Sequence, residues 1–246
     1  RLRDLPCEDP TCKYCQTAHN PEEQLKKFFG HESFRPKPKD SDGNSLQRKI
    51  VVSGMRGDSL LAIMPTGGGK SLCFQLPALV RNLRRGYLTI VISPLQALMK
   101  DQVDALGRAG IHGCAALCGI LTLPERADVL RGIKSGSVSL LYLSPEQLRS
   151  TAVRKALISR EIGAWVMDEA HCLSKWGHDF RPDYLYVGRY IKKFAKDQHA
   201  PVPPIQCFTA TAKKDVIEDI QAYFRKQTET ELKLFEMILA GGRLRL

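Results

Sequence analysis

The sequence predicts an α/β domain with a mostly parallel sheet and helices on both faces. Three observations carry that prediction. Short apolar runs alternate with helix-length stretches. A glycine-rich loop joins the first of these runs to the helix after it. Several polar motifs begin where an apolar run ends, which is where ligands bind in sheets of this kind.

Taken in order, residues 1–24 form a short, polar, cysteine-rich appendage, followed by a helical pattern at 23–29. Residues 36–45 (Pro-Lys-Pro-Lys-Asp-Ser-Asp-Gly-Asn-Ser) are loop by composition. From 46 onward the strand candidates are 60–64, 87–93, 114–117, 139–144, 164–168 and 205–209. Helical stretches at 71–84, 95–109, 124–135, 145–158, 183–196 and 213–226 separate them. The expected organisation is an appendage at 1–24, one lobe at 25–230, and an unassigned end at 231–246. Gly241-Gly242 and the basic terminus read like the stump of a chain that continues.

The 246 residues have ordinary apolar content, and no window approaches the ~18 uninterrupted apolar residues of a membrane span. Cys73, Cys114, Cys118, Cys172 and Cys207 lie in apolar or motif contexts rather than at framework spacing, so they read as reduced, intracellular thiols. Nothing distinguishes cytoplasm or nucleoid from nucleus. The net charge of +11 favours a polyanionic partner, although a generically basic surface has the same composition.

The most informative run is Met64-Pro65-Thr66-Gly67-Gly68-Gly69-Lys70-Ser71. A loop of this type turns backbone N–H groups inward, and the following helix adds the positive end of its dipole. Thr66, Gly67, Gly68 and Gly69 would cradle phosphate oxygens. Lys70 would neutralise the β/γ-phosphates, and the Ser71 hydroxyl is placed for Mg²⁺. The strict pattern has Gly at position 64, where this chain has Met. A second nucleotide element is Asp168-Glu169-Ala170-His171, at the end of the apolar run Ala164-Trp165-Val166-Met167. Asp168 suits the metal, Glu169 suits a base for the attacking water, and His171 is placed to link the site to neighbouring motifs.

Together with four further stretches, these residues resemble the RecQ family of superfamily-two DNA helicases. Ser93-Pro94-Leu95-Gln96-Ala97-Leu98-Met99-Lys100-Asp101-Gln102-Val103 resembles motif Ia, and Tyr142-Leu143-Ser144-Pro145-Glu146-Gln147-Leu148 resembles motif Ib. Phe208-Thr209-Ala210-Thr211-Ala212 resembles motif III. The most specific piece is Cys172-Leu173-Ser174-Lys175-Trp176-Gly177-His178-Asp179-Phe180-Arg181-Pro182-Asp183-Tyr184, similar to the aromatic-rich loop of that family.

The resemblance implies a RecA-like P-loop NTPase domain, the first motor lobe of an ATP-dependent 3′–5′ helicase. Its ligands would be ATP, Mg²⁺, and single-stranded or junction-containing DNA. It implies that Ser93, Lys100, Gln102, Ser144 and Glu146 lie near the DNA backbone. Trp176 and Phe180 would stack on bases or wedge at a junction. Lys175 and Arg181 would meet phosphates, and His178, Thr209 and Thr211 would couple ATP state to DNA grip. Core packing of the aromatics, and plain strand-to-helix turns at the two Ser-Pro pairs, are the alternative readings. An ATP-gated DNA-binding module and an RNA helicase of the same superfamily also stay open.

The chain departs from the family in two places. Phe29-Gly30-His31-Glu32-Ser33-Phe34-Arg35-Pro36 resembles the first part of the adenine-reading motif, but the next Gln is Gln47, beyond the charged loop 37–45. Arg35 and Gln47 are the expected adenine contacts. No motif of a second motor lobe follows residue 212, so the chain reads as one half of a motor, weakly active alone. Finally, Cys7, Cys12, Cys15 and His19 form Cys-x4-Cys-x2-Cys-x3-His, a ligand set for structural zinc that the resemblance does not imply. An exposed reduced cysteine cluster is the alternative.

Overall fold

The structure is a computed structural model. It describes residues 6–7, 9, 11–40, 42–176, 181–210 and 213–237. The chain begins with α1 (Lys13–Ala18), α2 (Pro21–Phe29) and α3 (Leu46–Arg56). Asn20 starts α2 by accepting from the amides of Glu22 and Glu23, Pro21 fixes its first turn, and Gly30 ends it in the left-handed region.

Then come β1 (Leu60–Ile63), α4 (Lys70–Arg85), β2 (Leu88–Ile92), α5 (Gln96–Arg108), β3 (Cys114–Leu117), α6 (Leu123–Ser135) and β4 (Leu140–Leu143). They are followed by α7 (Thr151–Ile158), β5 (Ile162–Met167), α8 (Tyr184–Asp197), β6 (Ile205–Thr209), α9 (Lys214–Thr228) and β7 (Lys233–Glu236). Short 3-10 turns follow β4 (Pro145–Arg149) and β5 (Ala170–Leu173).

The seven strands form one sheet in the order β3-β4-β2-β5-β6-β1-β7, and every pairing is parallel. Strand alternation divides the core into two layers. Leu141, Leu143, Ile90, Ile92, Trp165 and Met167 face α6–α9. Leu140, Tyr142, Val91, Val166, Leu60 and Ala62 face α2–α5. The five inner strands β4, β2, β5, β6 and β1 are buried on both sides, which is why the sequence shows continuous apolar runs there.

Four elements differ from the sequence expectation: α1 and α3 fall outside the expected helical stretches, and two further segments are built differently. The stretch 145–158 is divided, because Ser150 is extended (φ −69°, ψ 125°) between the 3-10 turn and α7. The end left unassigned supplies β7, whose residues Lys233, Leu234, Phe235 and Glu236 pair with Leu60, Leu61, Ala62 and Ile63. The sheet therefore extends beyond residue 230.

Candidate nucleotide and nucleic-acid site

Parallel strands put their C-terminal ends on one edge. Ser144 follows β4, Ser93 follows β2, Asp168 follows β5, Thr209 ends β6, and Met64 opens the phosphate-type loop after β1. In sheet order these five tips form a row about 19 Å long, four strand spacings of ~4.8 Å. Backbone bonds fix the row. Ser93 N–H donates to the Leu143 carbonyl (3.1 Å), Asp168 N–H to that of Ile92 (2.9 Å), and Met64 N–H to that of Thr209 (3.0 Å).

The loop has the shape its composition requires. Gly67 and Gly69 have φ of +76° and +83°, a region in which side chains are strained. A Cβ at Gly69 would lie 2.3 Å from Gln47 Nε2, and one at Gly68 would lie 2.9 Å from the Pro65 carbonyl. Met64 is fully buried as the extended end of β1, with Cys73 Sγ 3.6 Å from its Sδ. Position 64 points into the core, so glycine is not needed there.

Lys70 opens α4, and its Nζ lies 3.4 Å from Glu169 Oε1. The other Glu169 oxygen is 3.3 Å from His171 Nδ1, which in turn is 3.3 Å from Thr209 Oγ1. Thr209 then reaches back to the loop through Met64. Glu169 sits at φ 48°, ψ 49°, an unusual conformation for a non-glycine residue, and one that turns its carboxylate toward Lys70.

The two carboxylates are pushed apart electrostatically. Burial, then the adjacent Glu169 charge, raise Asp168 to about 6. The His171 hydrogen bond, with Lys70 adding attraction, holds Glu169 below the usual carboxylate range. A buried Asp beside a half-buried Glu, with Ser71 lining the same cleft, is an oxygen donor set suited to Mg²⁺.

That cleft encloses about 900 Å³ and is lined by the loop, Asp168, Glu169, Gln102 and residues 29–36. Arg35 and Gln47 meet at its edge despite the intervening loop 37–45. Lys39 bridges Ser45 in antiparallel fashion, and Asp40 accepts from the amides of Asp42 (3.0 Å) and Asn44 (2.8 Å). The insertion thereby closes on itself. Arg35 N–H donates to Gln47 Oε1 (2.9 Å), Gln47 Nε2 donates to the Gly69 carbonyl (3.2 Å), and Arg35 Nη1 donates to the Gly67 carbonyl. Both ends of the Gln47 amide are thus engaged with backbone.

On the other half of the row, Ser93 and Ser144 are buried rather than facing outward, and Ser144 donates to Glu146 Oε1 (2.5 Å). Lys100 and Glu146 are exposed and Gln102 is half-buried. Trp176 is 70% exposed, which excludes core packing for this ring. Ser174 anchors its segment, donating to Asp219 Oδ2 (2.6 Å) and accepting from Trp176 N–H (3.1 Å). Arg181 Nη1 donates to the Pro94 carbonyl (2.9 Å), tying the far end of the aromatic loop to the segment after β2. His178, Phe180 and Thr211 lie outside the described residues.

Sequence reasoning missed three contributors. Gln75 Nε2 donates to Gln102 Oε1 (2.9 Å) and to Tyr142 Oη (2.8 Å), and Tyr184 Oη donates to the Asp168 carbonyl (3.0 Å). Asp219 receives Ser174. Gln75 on an otherwise apolar helix face was the one legible signal, since a buried amide requires partners.

A model of the DEAD/DEAH box helicase family matches residues 44–220. The chain belongs to that family. Its resemblance to RecQ is borne out among the curated relatives of this helicase lobe. The chain is 41% identical over 199 residues to a probable ATP-dependent DNA helicase RecS of Bacillus subtilis, covering 81% of this chain and 36% of the relative. It is 39% identical over 211 residues to ATP-dependent DNA helicase RecQ of the same organism (86% and 33%). It is 40% identical over 205 residues to rat ATP-dependent DNA helicase Q5 (80% and 19%). The helicase lobe thus spans about a third or less of the relatives it matches.

Among solved structures, the helicase MrfA bound to DNA superposes with a TM-score of 0.65 at 18% identity, covering 94% of this chain and 30% of that one. A hypothetical ATP-dependent RNA helicase from Sulfolobus tokodaii gives 0.59 at 15% identity, covering 86% and 56%. Both show the RecA-like fold alone. No helix among the described residues is long and apolar enough to cross a membrane.

Proposed function

We propose that this chain is the first motor lobe of an ATP-dependent, RecQ-like DNA helicase or translocase, moving 3′ to 5′ and binding ATP–Mg²⁺ and single-stranded or junction-containing DNA. The observation that carries the reading is the continuous relay Lys70–Glu169–His171–Thr209, which joins the phosphate-type loop to the strand tips beside an exposed tryptophan. Thr66, the glycines and Lys70 would hold the triphosphate, with Ser71 and Asp168 on the Mg²⁺ side. The nucleotide supplies a phosphoanhydride bond and the metal neutralises charge on it.

Glu169 acts as the base. Its lowered pKa keeps it ionised, and an ionised carboxylate orients water and holds the water's proton as it leaves. Lys70 faces the same carboxylate, so an arriving phosphate competes for Lys70 and frees Glu169. His171 and Thr209 feel that exchange and pass it along the row. Arg35 and Gln47 would read adenine once their backbone bonds exchange for the base edge. A DNA strand would lie across Lys100, Gln102 and Trp176, and hydrolysis at full rate would use a second motor lobe.

ATP hydrolysis by a protein joining this lobe to a second one tests the reading, measured without nucleic acid, with single-stranded DNA and with RNA. DNA should stimulate turnover, and Trp176→Ala should remove most of that stimulation while leaving nucleotide binding in place. Stimulation by RNA alone would favour the RNA-helicase reading, and no response to either would sink the motor.

A further inference from the structure

We propose that Cys7, Cys12, Cys15 and His19 hold a structural zinc ion that staples the first segment of the chain onto the lobe. The three sulfur atoms lie within 4.8 Å of one another. Cys7 Sγ is 3.3 Å from Cys15 Sγ, and the Cys7 amide also donates to that sulfur (3.3 Å). Zinc–sulfur bonds of ~2.3 Å place tetrahedral sulfurs about 3.8 Å apart, inside the span these atoms occupy.

Among the described residues, the convergence has little other support than the turn at Asp9, whose carboxylate accepts from the Thr11 amide (2.8 Å) and hydroxyl (2.7 Å). α1 has six residues, buries none of them and has no side-chain cap, and a helix that short is not stable by itself. Thiols are weak hydrogen-bond partners, so three of them do not hold a chain reversal together. A dication does, because it draws in three thiolates that would otherwise repel. His19 follows Cys15 by four residues, on the same side of α1, and its amide donates to the Cys15 carbonyl (3.1 Å). Its ring lies edge-on to Tyr14, outside the sulfur triad, and on this proposal the side chain would turn to supply the fourth ligand.

The segment is attached to the lobe where the cluster ends. Gln24 Nε2 donates to the Thr17 carbonyl (2.9 Å), and Arg84 Nη2 on α4 donates to that of Ala18. α2 then leads directly to Gly30 and Arg35 at the nucleotide cleft. The ion would therefore fix the entry to the adenine-side segment while taking no part in chemistry.

The test uses the 246-residue chain, purified in reductant without added chelator, with zinc measured by elemental analysis. The metal-free chain is then titrated with Co²⁺. One equivalent of zinc, and a cobalt–thiolate charge-transfer band with tetrahedral d–d absorption, are expected. Cys12→Ser with Cys15→Ser should lose both, and His19→Ala should keep the thiolate band but weaken retention against a chelator about tenfold or more. Purified chain lacking zinc and giving no cobalt band would overturn the proposal. So would a zinc content indifferent to the double substitution, or a Cys7–Cys15 disulfide in its place. Unchanged retention in His19→Ala would overturn the fourth ligand.

Discussion

At the scale of single residues, the two adjacent carboxylates have opposite environments and hence opposite expectations. Glu169 is half-buried and paired with His171 and Lys70, so Glu169→Gln keeps its shape but loses the charge that serves as base and pairs Lys70. Nucleotide binding should persist while hydrolysis falls by about 10²–10⁴-fold, measured by titration with a fluorescent ATP analogue and by phosphate release. Asp168 is buried, and its pKa is raised to about 6. In metal-free protein the unfolded chain releases this proton near 3.9, whereas the native state keeps it until about 6. Native protein binds more protons in that window, so stability falls as pH rises through it and levels off above. The loss is on the order of 3 kcal/mol at most. Asp168→Asn should therefore raise the melting temperature in chelator at pH 7.5, raise it little at pH 4.5, and abolish Mg²⁺-dependent turnover. An equal gain at both pH values would show that burial of the charge is not the cause.

At the scale of elements, legibility followed burial. The five internal strands were readable because each is an apolar run buried on both faces, flanked by helix-length stretches, and the edge strand β3 was readable as a short apolar run although it is only partly buried. β7 was not, because only Phe235 is buried in it, while Lys233 and Leu234 face outward at the sheet edge. The glycine loop and the Asp-Glu tip were legible because their chemistry demands particular residue types at a strand end. The partners Gln75, Tyr184 and Asp219 were not, because long-range contact leaves no spacing signal. Loop 37–45 read as a break in the adenine-reading motif, yet folding removes the break: Asp40 closes it and Arg35 meets Gln47. That closure is testable. Asp40 is buried, accepts two backbone bonds, and pairs with Lys49 at 2.8 Å. Asp40→Ala should cost about 1–3 kcal/mol by thermal or urea unfolding. It should also reduce the preference for ATP over GTP, read by competition against the same fluorescent nucleotide. A destabilised variant with intact base preference would separate the insertion from adenine reading.

At the scale of the whole molecule, the net charge of +11 suggests a strong salt dependence of single-strand binding, and the fold sets how strong. A contact with Z phosphates gives an affinity that falls with salt at a slope of about −0.7Z on logarithmic axes. If all eleven charges acted, affinity would drop about 40,000-fold between 50 and 200 mM salt. The structure does not distribute its charge that way. Arg56, Arg81, Arg84, Arg85 and Arg160 line a cavity of about 470 Å³ beside Gly57, Ile162 and Pro204, at the opposite edge of the sheet from the strand tips. Arg149 is paired with Asp183 (3.0 Å), and Lys70 faces the nucleotide cleft. On the tip edge Lys100, after β2, Lys175, after β5, and Lys213, after β6, are exposed, while the neighbouring Lys214 is paired with Glu218 (3.4 Å). Three such contacts give about a 20-fold drop over the same salt range. Fluorescence anisotropy with a labelled oligonucleotide at several salt concentrations should return a slope near −2. Lys100→Ala or Lys175→Ala should each lower its magnitude by about 0.7. A slope several times steeper, insensitive to both substitutions but reduced by changes at Arg84 and Arg85, would move the strand to the other edge of the sheet. The strand would then lie away from Trp176 and the nucleotide relay, and binding would have no path by which to reach Glu169.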